Sequence, residues 1–151
     1  MDRKAPVPTL PAGFRPAARH SSYTDLVGPF FDNFAGVEPR KGFFVDHKHL
    51  NQRGISHGGL VMTFADILLG SALHHNDLGP AVTVRLTTDF VGPSMLGEWI
   101  EGRARIDRET AGLIFISGEI FTDRRQVATT SGVFQRIRRR RSALVEKAAA
   151  S

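Results

Sequence analysis

The fold turns on residues 51–73, NQRGISHGGLVMTFADILLGSAL. Residues 60–73 are apolar on nearly every face, the pattern of a helix buried all round rather than lying on a surface. The run opens at Gly58-Gly59, with Ser56 and His57 ahead of it as caps. It carries one charge, Asp66. An ionised carboxylate in apolar surroundings is costly unless it is paired, hydrogen-bonded or neutralised. Asp66 has Ala65, Ile67, Leu68 and Leu69 around it and no Lys or Arg three or four positions away.

A helix of this kind needs a wrapper, and the flanking sequence supplies one. Residues 81–91, 97–107, 112–122 and 126–137 favour strands, separated by the turn-like breaks GPSML, RET and DRR. Connectors this short favour antiparallel neighbours, since a parallel crossover needs a dozen or more residues. Upstream, residues 42–50 (GFFVDHKHL) read as a strand with Phe43, Val45, His47 and His49 on one face. Residues 22–34 read as a helix, with Leu26, Val27, Phe30, Phe31 and Phe34 near helical spacing and Pro29 as a potential break. The expectation is an α+β domain, one curved sheet wrapped around one long buried helix.

At 151 residues the chain is one domain, and it has no cysteine. That excludes disulfides, thiolate metal sites and a cysteine nucleophile. No apolar run is long enough to span a membrane, and residues 1–16, with Pro6, Pro8, Pro11 and Pro16, lack the apolar core of a secretory signal. A cytoplasmic protein is the expectation. Residues 1–20 read as a disordered or loosely docked proline-rich arm, residues 21–137 as the domain, and residues 138–151 as a basic tail. The net charge of +5 belongs to the end: residues 1–135 carry 14 Lys plus Arg against 14 Asp plus Glu. A neutral body without aromatic interleaving of the basic run argues against nucleic acid as a partner.

Gly58-Gly59 lets a ligand approach a helix start whose first N–H groups lack intrahelical partners. Those donors, at the positive end of the helix dipole, suit a developing oxyanion on a carbonyl. Eight residues separate Gly58 from Asp66, roughly 12 Å of rise and about 80° of rotation. Asp66 therefore cannot reach a carbonyl held at its own helix start. If both serve one carbon, they come from two copies of the chain, and a twofold dimer with two composite sites is the economical solution.

Asn51-x-x-Gly54-x-x-His57-Gly58-Gly59, followed by Asp66, resembles the hotdog-fold acyl-CoA thioesterases of the PaaI-like, phenylacetate-pathway branch. Residues 81–106 extend the likeness, which covers roughly residues 30–137. The resemblance implies hydrolysis of acyl-CoA to free acid and coenzyme A, with no cofactor and no metal. It implies Asp66 as nucleophile or general base and Gly58 N–H as the group polarising the thioester oxygen. It places the Asn51 amide beside the attacking group and His57 in support of the loop and carbonyl. Gly59, Val82 and Thr83 are expected against the substrate, Thr83 as a small hydroxyl near the carboxylate. It further implies a homodimer with a continuous sheet, paired into a homotetramer in many members. Arg85 and Asp89 depart from the family's less charged strand. A thioester is electrophilic enough for a carboxylate and an oxyanion donor to suffice, and no G-x-S-x-G elbow is present.

Other features were weighed against this. A non-catalytic acyl-CoA-binding module and an enoyl-thioester hydratase or dehydratase would use the same fold. His47-x-His49 and His74-His75 with Asp77 could recruit a metal but read better as solvated histidines. In RIRRRR, Arg138 and Arg139 suit the phosphates of coenzyme A, or else form a solvated strand end.

Overall fold

The computed structural model describes residues 9–137. Seven strands form one antiparallel sheet: β1 (Arg15–Pro16), β2 (Phe31–Asn33), β3 (Arg40–Phe44), β4 (Ala81–Phe90), β5 (Trp99–Glu109), β6 (Leu113–Phe121) and β7 (Gln126–Arg136). Their order across the sheet is β1-β2-β3-β5-β6-β7-β4, so β4 closes one edge and β1 the other. Two helices accompany them, α1 (Ser22–Val27) and α2 (Gly58–His75), the latter packed against β4, β5, β6 and β7. This is the hotdog fold that the sequence leads one to expect.

Period-two burial makes the sheet one-sided. Along β6 the residues alternate half-buried and buried, sending Ile114, Ile116, Gly118 and Ile120 inward. On the facing helix Phe64, Leu68 and Leu69 are fully enclosed. What lets α2 come so close is a set of missing side chains. A β-carbon at Gly102 on β5 would lie 2.5 Å from Leu68 Cδ2. One at Gly118 on β6 would lie 3.1 Å from Leu69 Cδ2, and one at Gly132 on β7 2.8 Å from Leu69 Cδ1. Three neighbouring strands therefore yield space to two leucines.

Several expectations are corrected. The helix over residues 22–34 stops at Val27, because Gly28-Pro29 cannot continue it. Phe31–Asn33 becomes β2 instead, pairing with β3 so that Asp32 lies opposite Lys41. The strand over 42–50 ends at Phe44, and His47–His49 forms a 3-10 turn capped by Asp46. His47 and His49 therefore do not share a strand face. Of the arm over residues 1–20, read as disordered or loosely docked, the described part packs on the sheet: β1 pairs with β2, and Phe14 meets the Trp99 ring edge-on at 5.0 Å. Lastly, α2 is not covered all round. Met62, Thr63, Asp66, Ile67 and Gly70 form a half-buried stripe that the chain's own sheet covers only in part, through Thr83 at Asp66.

If helix approach depends on absent side chains, Gly132→Ala should destabilise by about 1–3 kcal/mol, the usual cost of overpacking. Urea unfolding would measure it. In a Leu69→Ala background the added penalty of Gly132→Ala should shrink, giving a strongly non-additive cycle.

Candidate active site

The start of α2 is fixed from both sides. His57 N–H donates to the His49 carbonyl at 2.8 Å, and Ser56 N–H to the Ser94 carbonyl at 2.9 Å. The 93–98 turn that carries Ser94 is held by Arg125, whose guanidinium donates to both Glu98 oxygens and to the Pro93 carbonyl. Burial works to raise the Glu98 pKa, but hydrogen bonds from Met95 N–H and Arg125 outweigh it and hold it below the usual value. On the other side, the His49 ring bridges two segments. Its Nδ1 accepts from Asp46 N–H at 2.9 Å, and its Nε2–H donates to the Val27 carbonyl at 2.8 Å.

These bonds divide up the free donors at the helix start. His57, not Ser56, is the N-cap: its Nδ1 accepts from Gly59 N–H at 2.9 Å. Leu60 and Val61 N–H both donate to the His57 carbonyl. Gly58 N–H is left with no acceptor among the described residues. A carbonyl oxygen arriving there would meet one unshared donor at the positive end of an 18-residue helix. The structure thus distinguishes Gly58 from Gly59, whose N–H is already engaged. Asn51 shapes the preceding loop: its Oδ1 accepts from Arg53 N–H at 2.8 Å and Ile55 N–H at 3.4 Å, while Gly54 takes φ of +74°. Its amide NH2 donates to none of the described residues.

Asp66 lies further along α2 on the half-buried stripe, and Thr83 Oγ1 donates to its Oδ1 at 2.8 Å. The structure therefore brings together the two residues that the family resemblance pairs as carboxylate and hydroxyl. Among the described residues no Lys or Arg pairs with Asp66, so its second oxygen remains open. A detail of β4 makes the contact. Register shifts between Thr83 and Arg85, leaving Val84 as a bulge, so Thr83 and Leu86 face the helix side together despite their odd spacing. Nothing in the strand's composition announces that bulge. Val82, on the same strand, is exposed.

Asp66 and Gly58 occupy different ends of β4. Asp66 meets Thr83, whereas a β-carbon at Gly58 would lie 3.6 Å from the Phe90 ring. Beyond Asp66, toward the C-terminal half of α2, opens a cavity of about 640 Å³ bordered by Arg19, Asp32, Lys41, Ser71 and His74. Sequence reading missed Asp32 and Lys41 because only the β2–β3 register makes them a buried ion pair. His74 receives the Arg19 guanidinium, Nη1 to Nδ1 3.2 Å, and His75 lies against Phe34. Among the described residues no three His, Asp or Glu groups are placed to hold a metal ion. No helix among them is long and apolar enough to cross a membrane. Arg138 and Arg139 lie outside the described residues.

Comparison with known proteins gives this geometry a setting. The family model described as Thioesterase superfamily matches residues 53–129. A proposed esterase of Pseudomonas aeruginosa is 39% identical over 128 residues, covering 83% of this chain and 96% of that protein. Acyl-coenzyme A thioesterase 13 of Mus musculus is 32% identical over 77 residues, covering 50% of this chain and 55% of that one. Among solved structures, a mutant of the phenylacetic acid degradation protein PaaI from Thermus thermophilus superposes with a TM-score of 0.70 at 24% identity. It covers 78% of this chain and 100% of that one.

The His49 bridge has a pH signature. Burial is the largest influence and lowers its pKa below the ordinary 6.5, against the raising effect of the Val27 carbonyl. Protonation would also set a second N–H against the one Asp46 donates. In the window between the folded value and 6.5, the unfolded chain binds more protons, so stability should rise with pH there and level off above 6.5. Unfolding midpoints between about pH 5 and 8 should show this slope. His49→Phe should flatten it while lowering stability overall.

Proposed function

The chain belongs to the thioesterase superfamily, an enzyme family that hydrolyses thioesters, and on that premise we propose that it cleaves acyl-CoA in a site shared between two copies. The single observation that carries this is the division at α2: one unshared donor at Gly58 and one unpaired carboxylate at Asp66, too far apart to meet within one chain. Gly58 N–H of one copy would hold the thioester oxygen, and Asp66 of the other would drive attack on the carbonyl carbon. Asp66 acts either as nucleophile or as base toward a water molecule; both routes place the carboxylate at the same point. In sum water adds across the C–S bond, giving the carboxylic acid and the coenzyme A thiol. Thr83, bonded to Oδ1, orients the carboxylate and leaves Oδ2 toward the substrate. Asn51 and His57 hold the loop that aims Gly58.

The surface supports a dimer. β4 ends the sheet with ten residues whose outer backbone edge has no strand beside it among the described residues, and Val82, Val84 and Phe90 on it are exposed. Antiparallel self-pairing of β4 about a twofold axis between Leu86 and Thr87 would set Thr83 of one copy opposite Phe90 of the other. Asp66 would thereby approach the other copy's Gly58. The half-buried stripe of α2 would gain its missing cover in the same step. Pairing of dimers into a tetramer belongs to the same proposal.

Substitution of Gly58 by Pro removes the donor at a helix position where proline is well tolerated. His57 already has the extended conformation that precedes proline, and the space beside Phe90 is open enough. Gly58→Pro should stay folded and lose about 10²–10³ in kcat, the loss typical of one oxyanion donor. Asp66→Asn should also lose most activity. Mixing the two inactive variants after dissociation should restore about a quarter of wild-type activity, since each mixed dimer rebuilds one site. Release of free thiol from acyl-CoA measures this, and full activity in Asp66→Asn would sink the mechanism. Water addition to crotonyl-CoA in place of hydrolysis would identify a hydratase; binding without turnover would identify a sensor module.

Arg138 and Arg139 are proposed to meet coenzyme A phosphates. Truncation after Ile137 spares Arg136, which pairs with Glu109. The shortened protein should show a raised KM for acyl-CoA but not for a pantetheine thioester.

A further inference from the structure

The region beyond Asp66 mixes apolar and charged groups: Phe34, Ile67, Leu73 and Phe134 border it together with Arg19, Asp32 and Lys41. The 640 Å³ cavity that Asp66 borders and a second of about 420 Å³ on the side of α1 share Arg19, Lys41 and Ile67, so Arg19 stands at their junction. The floor includes the Lys41–Asp32 ion pair, with only 7% of each side chain exposed.

The cations around the two cavities are unequal. Lys41 is neutralised by Asp32, and His20 lies 3.2 Å from Asp25. Lys48 donates to the Leu26 carbonyl. Arg19 has no carboxylate partner among the described residues, and its one side-chain hydrogen bond among them is to the His74 ring. Asp66 and Asp77 also border the larger cavity without a cationic partner. Asp66 is committed to the thioester end, and Asp77 is an exposed residue of the loop after α2. His74 lies eight residues beyond Asp66 on the same helix, roughly 12 Å along its axis. Arg19 is an exposed residue that borders both cavities, and a planar guanidinium at that distance without a carboxylate partner is suited to a carboxylate.

We propose that the acyl group carries a distal carboxylate and that Arg19 recognises it, so that the substrates are medium-length dicarboxylic mono-thioesters. This rests on the reading of Asp66 as the carboxylate that attacks. The phosphates of coenzyme A are the other anions such a guanidinium could bind. Turnover and binding of acyl groups that differ only at their far end separate these two sources.

The test compares adipoyl-CoA with hexanoyl-CoA, alike in chain length but differing in the terminal carboxylate. Wild-type kcat/KM should favour adipoyl-CoA, and Arg19→Ala should reduce that ratio about 10- to 100-fold, the effect of losing one charge-assisted bond. Arg19→Lys should restore part of it. The same ratio is read in binding with the non-hydrolysable thioethers S-carboxypentyl-CoA and S-hexyl-CoA. Binding separates the two ideas: absent turnover with an Arg19-dependent binding ratio would overturn the hydrolase reading alone. A wild-type preference for the hexanoyl or hexyl compound, or a ratio indifferent to Arg19→Ala, would overturn the carboxylate proposal. So would an Arg19→Ala effect that is equal for both acyl groups and disappears with pantetheine thioesters, since that pattern assigns Arg19 to the phosphates.

Discussion

Close approach of α2 to the sheet is the constraint from which the rest descends. Gly102, Gly118 and Gly132 lie on three adjacent strands, and Leu68 and Leu69 fill the space their side chains would take. That contact fixes the rotation of the helix. With Leu68 and Leu69 turned into the sheet, Asp66 is about 110° away around the axis, facing sideways rather than into the core. It can then reach Thr83 on β4 and remain half-buried, instead of being desolvated against strands that offer it nothing. The packing that stabilises the domain and the placement of the one carboxylate on α2 are the same fact.

The helix start is shaped by a different economy. Each unpaired N–H in the first turn is costly when shielded from water, and the structure satisfies all but one. His57 takes two roles at once, its ring accepting from Gly59 and its carbonyl from Leu60 and Val61. That leaves Gly58 N–H as the one first-turn donor without an acceptor among the described residues. His49, Ser94 and Arg125 hold the surrounding loops and touch nothing reactive, yet they decide where that N–H points.

Much of this was legible in the chain. Apolar residues on every face of 60–73 signalled a helix that had to be wrapped, and short breaks among four β-rich runs signalled an antiparallel wrapper. The helical rise alone showed that Gly58 and Asp66 could not meet within one copy. Less legible was the segment before β3. Leu26, Val27, Phe30 and Phe31 fit a helical period, but Gly28-Pro29 breaks the backbone there, and tertiary pairing claims Phe31 for a strand. In the same way His47 and His49 alternate as in a strand, while the Asp46 side chain caps a tight turn and removes them from it.

By itself, the order of residues determined the buried helix, the antiparallel sheet around it, and the types of group set into the site: a lone carboxylate, a glycine-opened helix start, a hydroxyl on the following strand. The helix, the sheet, the lone carboxylate and the opened helix start follow from periodicity, chain geometry and the cost of burying charge, all local or one-dimensional properties; the hydroxyl at Thr83 follows from the family resemblance. Tertiary structure alone decided which N–H stays free, that Val84 bulges so Thr83 turns toward Asp66, and that Asp32 and Lys41 form a buried pair beside Arg19. Those outcomes depend on strand register and on side chains far apart in sequence. Register is a property of two segments together, and neither segment carries it alone.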